Sequence, residues 1–113
     1  MCMKISKEEL VRINKGFGGS LRSDSSLDYA LEMQDNNKLG DYKKLAYLWR
    51  AILVDHPFSD GNKRTAAYAS LKFADEFKKQ VDRELLIHHI TSIAKQNITN
   101  IRHIEWRLKN AIR

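Results

Sequence analysis

The residues with the most chemical capacity in this chain are contiguous: His56-Pro57-Phe58-Ser59-Asp60-Gly61-Asn62-Lys63-Arg64. Asn62 reads as the N-cap of a helix that Lys63 and Arg64 open. Two cations there oppose the helix macrodipole, which favours negative charge at that end by about 0.3–1 kcal/mol per group. The first-turn N–H groups also lack acceptors within the helix, so the arrangement suits a bound phosphate. A local rule broken in this way marks a functional position.

The neighbouring residues extend that reading. Gly61 can take a positive φ and lets backbone approach a ligand closely. Arg64 suits a bidentate grip on phosphate oxygens, and Lys63 supplies a point charge. Asp60 offers one hard carboxylate beside the anion site, enough for a Mg²⁺ that phosphates also ligate. His56, held out of the preceding helix by Pro57, is placed to act as general base on a hydroxyl. Phe58, apolar among polar neighbours, is expected to plug the loop into the core. The alternative is a capped helix connection with a charged rim. A metal pair of His56 and Asp60 at helical i, i+4 spacing fails, because Pro57 and Gly61 interrupt any helix there.

The elements that must position this loop are helical. Ser6-Lys7-Glu8-Glu9 has the capping-box pattern ahead of Leu10, Val11 and Ile13, and that helix should stop at Lys15-Gly16-Phe17-Gly18-Gly19. A second helix is predicted from Asp24 or Ser25, carrying Leu27, Ala30 and Leu31 and fading across 34–40. Asp41 is expected to cap a third, whose Leu45, Leu48, Trp49, Ile52 and Leu53 share one face and which ends near Asp55. From 63 to 77 the apolar residues cover nearly every side, which predicts a buried central helix. A fifth helix after Asp82 offers Leu86, His89, Ile90 and Ile93. A sixth, after 97–100, offers Ile101, Ile104, Leu108 and Ile112. The fold class is therefore all-α, a single domain over 1–113 with about six helices around residues 63–77.

Composition bounds the remaining choices. The 113 residues suit one domain with a real core. A single cysteine, Cys2, excludes an internal disulfide framework and fits a reducing cytosol. No apolar run approaches the roughly 20 residues of a membrane span. The chain is therefore expected to be cytoplasmic. Twenty Lys and Arg against fourteen Asp and Glu give a net charge of +6, which suits an anionic partner or simple solubility. The absence of a long basic tract argues against nucleic acid.

At this point the motif resembles a known one. Residues His56 to Arg64 fill every defined position of HxFx(D/E)GN(G/K)R, the signature of the Fic/Doc (Fido) superfamily. Leu21-Arg22, Leu27 and Ala30-Leu31 resemble the L-R-x-x-x-x-L-x-x-A-L pattern of the death-on-curing (Doc) branch, as do Thr65-Ala66 after Lys63-Arg64. The resemblance covers about residues 20–80. It implies a helical Fido fold and nucleotide-dependent modification of a protein hydroxyl, with ATP or another NTP and Mg²⁺. Carried onto this chain, His56 is the base, Asp60 holds Mg²⁺, Gly61, Asn62 and Lys63 line an anion hole, and Arg64 pairs with nucleotide phosphate.

Two departures separate the chain from AMP-transferring members. Those typically carry Gly where Lys63 stands and a second Arg where Ala67 stands. A lysine at 63 occupies space near the phosphates and would present the γ-phosphate to the hydroxyl, as in the phosphorylating Doc branch. Gly61, in contrast, is shared with the AMP-transferring form. The superfamily's inhibitory pattern (S/T)xxxE(G/N) is not found in this chain, so a separate antitoxin is the expected restraint. The protein substrate would be cytosolic, such as a translation factor. The counterpart of the substrate-aligning flap falls at Met33 to Asp41, short and polar.

Other candidates read as structural. His89 is expected on the core rim with His88 in solvent, and His103 at the surface without a partner. Trp49 and Trp106 are expected in the core, and Cys2 has no catalytic part. Two functions from different classes remain: a Doc-like phosphotransferase toxin with AMP transfer as its variant, and an inactive basic binding module.

Overall fold

The computed structural model describes residues 4–113, so Cys2 lies outside the described residues. Six helices follow in order: α1 (Lys7–Gly16), α2 (Ser25–Gln34), α3 (Asp41–Asp55), α4 (Asn62–Glu76), α5 (Arg83–Gln96) and α6 (Ile101–Ala111). The all-α bundle predicted from periodicity is observed. Among the described residues, β pairing is confined to two isolated antiparallel bridges, Leu21 with Phe58 and Val81 with Ile112.

Local chemistry accounts for most boundaries. Ser6 Oγ accepts from Glu9 N at 3.1 Å, Asp82 Oδ1 from Leu85 N at 3.1 Å and Asn100 Oδ1 from His103 N at 2.9 Å, each satisfying an orphan first-turn donor. Two predicted caps are displaced by one residue. Gly40, not Asp41, is the N-cap of α3, and Gly61, not Asn62, is the N-cap of α4. The second shift has a physical reason: the Asn62 amide is already engaged with Phe58 behind it and is not free to cap.

The predicted face of α3 (Leu45, Leu48, Trp49, Ile52 and Leu53) is fully buried. The Trp49 indole donates to Ser70 Oγ at 2.7 Å, and Ser70 donates in turn to Ala66 O at 2.8 Å. A buried indole N–H is thereby satisfied inside the seam between α3 and α4. The centre of the bundle is shared: α4 packs on α1, α3 and α5, while α3 packs on α2, α4, α5 and α6. The alanines of α4 reconcile these roles: Ala66, Ala69 and Ala74 are buried in the core, and their small size leaves room for the larger side chains of α3.

Trp106 departs from expectation. It stands 61% exposed on α6, because Ile104, Leu108 and Ala111 take the buried face. His89 is buried and His88 exposed, as expected, but His103 has a partner, Arg107, whose Nε donates to its Nε2 at 2.8 Å. Of the flap segment, Met33 and Gln34 belong to α2, and 35–39 form a tight turn held by Asn36 N to Met33 O and Leu39 N to Asn36 O.

Candidate active site

The loop between α3 and α4 is built by three restraints. The first is at His56, the C-cap of α3, whose φ of 49° and ψ of 64° place it in the left-handed region. Pro57 disfavours the right-handed helical conformation for the residue before it, so His56 must leave the helix. A β-unbranched residue held left-handed carries strain of order 1 kcal/mol that its surroundings must over-determine. Here Pro57 and Phe58 are buried, Phe58 completely, and anchor the chain immediately after the turn. The imidazole is left exposed on the wall of a cleft.

The second restraint is the strand-like segment before α2. Arg22 N and Ser23 N both donate to Pro57 O, at 2.7 and 3.2 Å, and Ser59 N donates to Ser20 O at 2.8 Å. Ser20 N donates to Ser59 Oγ at 3.0 Å. Leu21 and Arg22 thus support the His56 turn through backbone pairing.

The third restraint is the Asn62 amide. Its Oδ1 accepts from Phe58 N at 3.2 Å and its Nδ2 donates to Phe58 O at 3.0 Å, closing the loop into a ring. Any contribution of Asn62 to an anion must therefore come through its main-chain N–H. Gly61 has a φ of 72°, as expected, and a Cβ there would lie 3.0 Å from Phe17 Cβ and 3.1 Å from Asn14 Nδ2.

These restraints shape an open cleft of about 370 Å³ lined by His56, Ser59, Asp60, Gly61, Asn62, Lys63 and Arg64. All the predicted polar site residues are thereby brought together, with Pro57 and Phe58 beneath as support. The first main-chain bond of α4 runs from Thr65 N to Gly61 O, which leaves the N–H groups of Asn62, Lys63 and Arg64 without intrahelical acceptors. Lys63 and Arg64 are exposed and have no ion-pair or hydrogen-bond partner among the described residues. Unpartnered cations and N–H groups without intrahelical acceptors at one helix end have the chemistry that would suit a polyanion.

The Asp60 carboxylate is exposed and turned back on its own loop, Oδ1 accepting from Gly61 N at 2.8 Å. No group of three or more His, Cys, Asp or Glu suited to a metal occurs among the described residues. A cation here would thus have one protein carboxylate and would need phosphate oxygens to complete its shell. That donor set fits Mg²⁺ bound with a nucleotide, because Mg²⁺ is commonly held by one or two carboxylates plus substrate phosphates.

A deeper layer went unread in the sequence. Asn14, fully buried on α1, donates from Nδ2 to Asp60 O at 2.7 Å and to Thr65 Oγ1 at 3.1 Å. Buried Thr65 donates from Oγ1 to Gly61 O at 2.8 Å. Gly19 closes the same layer: a Cβ there would fall on Asn14 Oδ1 and on the Asp60 carbonyl oxygen. The available signal was Asn14 itself, a polar residue four positions after Leu10 on an apolar helical face.

The Fic/DOC family model matches residues 5–74, more than half of the chain and all of the loop just described. The chain belongs to the Fic/DOC family. Searches of curated proteins and of solved structures found no match to it. Fic/DOC members are generally protein-modifying transferases that use ATP with Mg²⁺. The matched span reaches from just before α1 into the last turn of α4. It therefore includes the buried Asn14 layer as well as the exposed cleft.

Proposed function

We propose that this Fic/DOC protein transfers the γ-phosphoryl group of ATP to a Ser or Thr hydroxyl of a protein substrate, as a Doc-like toxin restrained by a separate antitoxin. The observation that carries the choice of phosphoryl over AMP is Lys63. It extends from the first turn of α4 into the cleft, exposed and unpaired, where AMP-transferring relatives have no side chain. Ala67, one turn further, supplies no second guanidinium.

In this reading His56 accepts the proton of the acceptor hydroxyl. The hydroxyl oxygen forms a bond to the γ-phosphorus, and the bond from that phosphorus to the bridging oxygen breaks, releasing ADP. The main-chain N–H groups of Asn62, Lys63 and Arg64, with the two cationic side chains, hold the phosphate oxygens in place. Positioning and charge stabilisation of this kind supply most of the catalysis in phosphoryl transfer. Bound Mg²⁺, anchored by Asp60, would neutralise phosphate charge. A translation factor is the substrate class suggested by the Doc resemblance.

The test is intact-protein mass spectrometry of cytosolic proteins incubated with the chain, ATP and Mg²⁺. A gain of one phosphoryl group, lost with His56→Ala, supports the reading. A gain of AMP would replace it with AMP transfer, which Gly61 favours as the residue shared with that form. Unmodified proteins with either chain would contradict both.

A further inference from the structure

The outer face of α6 has no role in the cleft and breaks two expectations of a solvated helix. Its inner face is Ile104, Leu108 and Ala111, all buried, and its opposite face is centred on Trp106, 61% exposed. At 100° per residue, Arg102 and Lys109 fall within about a sixth of a turn of Trp106, and His103 and Asn110 flank it on the other side; Arg113 lies past the end of the helix, its Nε donating to Asn110 O at 3.3 Å. The last thirteen residues hold Arg102, Arg107, Lys109 and Arg113 against Glu105 alone, so 4 − 1 = +3 of the chain's +6 sits on α6 and the two residues that follow it. The charges alternate with apolar residues, so no basic tract is visible in the sequence; only the helix gathers them.

The face is also held in shape. Arg107 Nε donates to His103 Nε2 at 2.8 Å, and Arg107 Nη1 lies 3.1 Å from His89 Nδ1, tying α6 to α5. His103 and Trp106 rings sit 6.1 Å apart. The Asn110 amide donates to Trp106 O at 2.8 Å. Glu105 is half-buried at the edge, 3.5 Å from Lys109.

From these observations we infer that the outer face of α6 is a docking surface for an acidic protein segment, with Trp106 as its central anchor, Arg102 and Lys109 as its charge frame on the helix, and Arg113 just past the helix end. Trp and Arg are the residue types that dominate interface energetics, clustered at the centre of a contact. A second copy of this chain is disfavoured, because two such faces would meet cation to cation. Nucleic acid is the weaker fit: one aromatic gives a single stacking platform, and the cations on the helix, Arg102 to Lys109, span only about 10 Å at 1.5 Å per residue. The occupant complementary to an exposed Trp with cations along one side is an amphipathic segment whose acidic residues border an apolar patch. The inference is independent of phosphoryl transfer.

Fluorescence of the full chain tests it. Trp49 is fully buried and Trp106 exposed, so acrylamide reports on Trp106. The probe is a synthetic amphipathic helical peptide with Glu on one face and Leu on the other. Saturable binding that shifts Trp106 emission to the blue and protects it from acrylamide is the expected result. Trp106→Ala, followed by peptide anisotropy, should weaken binding about thirtyfold, the scale of a central interface residue. Arg102→Glu should do the same, with circular dichroism unchanged. An unaltered Trp106 emission overturns the inference. So does binding of polyuridine or phosphatidylserine vesicles in preference to the peptide, or equal binding by Trp106→Ala.

Discussion

Gly19→Ala is the most informative small change in this molecule. The added methyl would overlap the Asn14 side-chain oxygen and the Asp60 carbonyl oxygen, neither of which is the far end of a flexible chain. Asn14 is fully buried and bonded at both Asp60 and Thr65, so it has nowhere to rotate. The gap must therefore open by about 1 Å to reach an ordinary van der Waals separation. Overpacking of this kind costs about 1–3 kcal/mol, or a drop in Tm of roughly 3–12 °C for a domain of this size. The displaced carbonyl belongs to Asp60, one residue before the N-cap of α4, so the proposed anion site moves with it. A misplacement of about 1 Å at a catalytic site can cost about 10²-fold in rate. Urea denaturation and transfer of label from γ-labelled ATP read the two effects separately. Gly16→Ala is the internal control, since nothing lies within 4 Å of its Cβ and it sits in α1; it should stabilise by about 0.5–1 kcal/mol. Gly19→Ala with unchanged stability and rate would refute the account of how the loop is held.

Further outcomes follow from the same contacts. Lys63→Gly should shift the product from phosphoprotein towards AMP-protein, read by mass spectrometry; unchanged phosphoryl transfer would remove Lys63 as the determinant. Lys72→Met should destabilise by about 1–3 kcal/mol in urea, because it leaves half-buried Glu9 without the ammonium 2.7 Å away that ties α4 to α1. Hydrogen bonds from Lys72 and then Tyr68 hold the Glu9 carboxyl below its ordinary 4.5, so this stabilisation is present above that value and is lost as pH falls through the folded pKa. Burial, followed by Arg107, His88 and His103, holds His89 below its ordinary 6.5. The folded state therefore favours the neutral imidazole, and stability should fall as pH drops below about 6.5. His89→Leu should flatten that part of the urea midpoint against pH; an unchanged slope would rule His89 out as its source.

The exposed half of the site was legible because its chemistry is local. The cations at a helix start, the proline after His56 and the glycine before Asn62 break or set backbone rules within a few residues, and such breaks show in sequence. The supporting half was not legible, because its partners lie far apart in the chain. Asn14 reaches Asp60 across 46 positions, and Ser20 reaches Ser59 across 39. Helix periodicity placed six helices, the α3 face and the inward face of α6 at Ile104 and Leu108; Trp106 was misplaced in the core on its apolar character alone, although its position is on the opposite side of that helix. The Asn62 cap failed for a related reason: the same amide can cap forward or bond backward, and only the closed loop chooses.

The central claim is that a triphosphate docks at the start of α4 with its terminal phosphate towards His56. A crystal structure of the chain with a non-hydrolysable ATP analogue and Mg²⁺ tests it most directly. The γ-phosphate should lie beside the imidazole, with phosphate oxygens on the N–H groups of Asn62, Lys63 and Arg64. An α-phosphate in that place, or nucleotide bound outside this cleft, would contradict it.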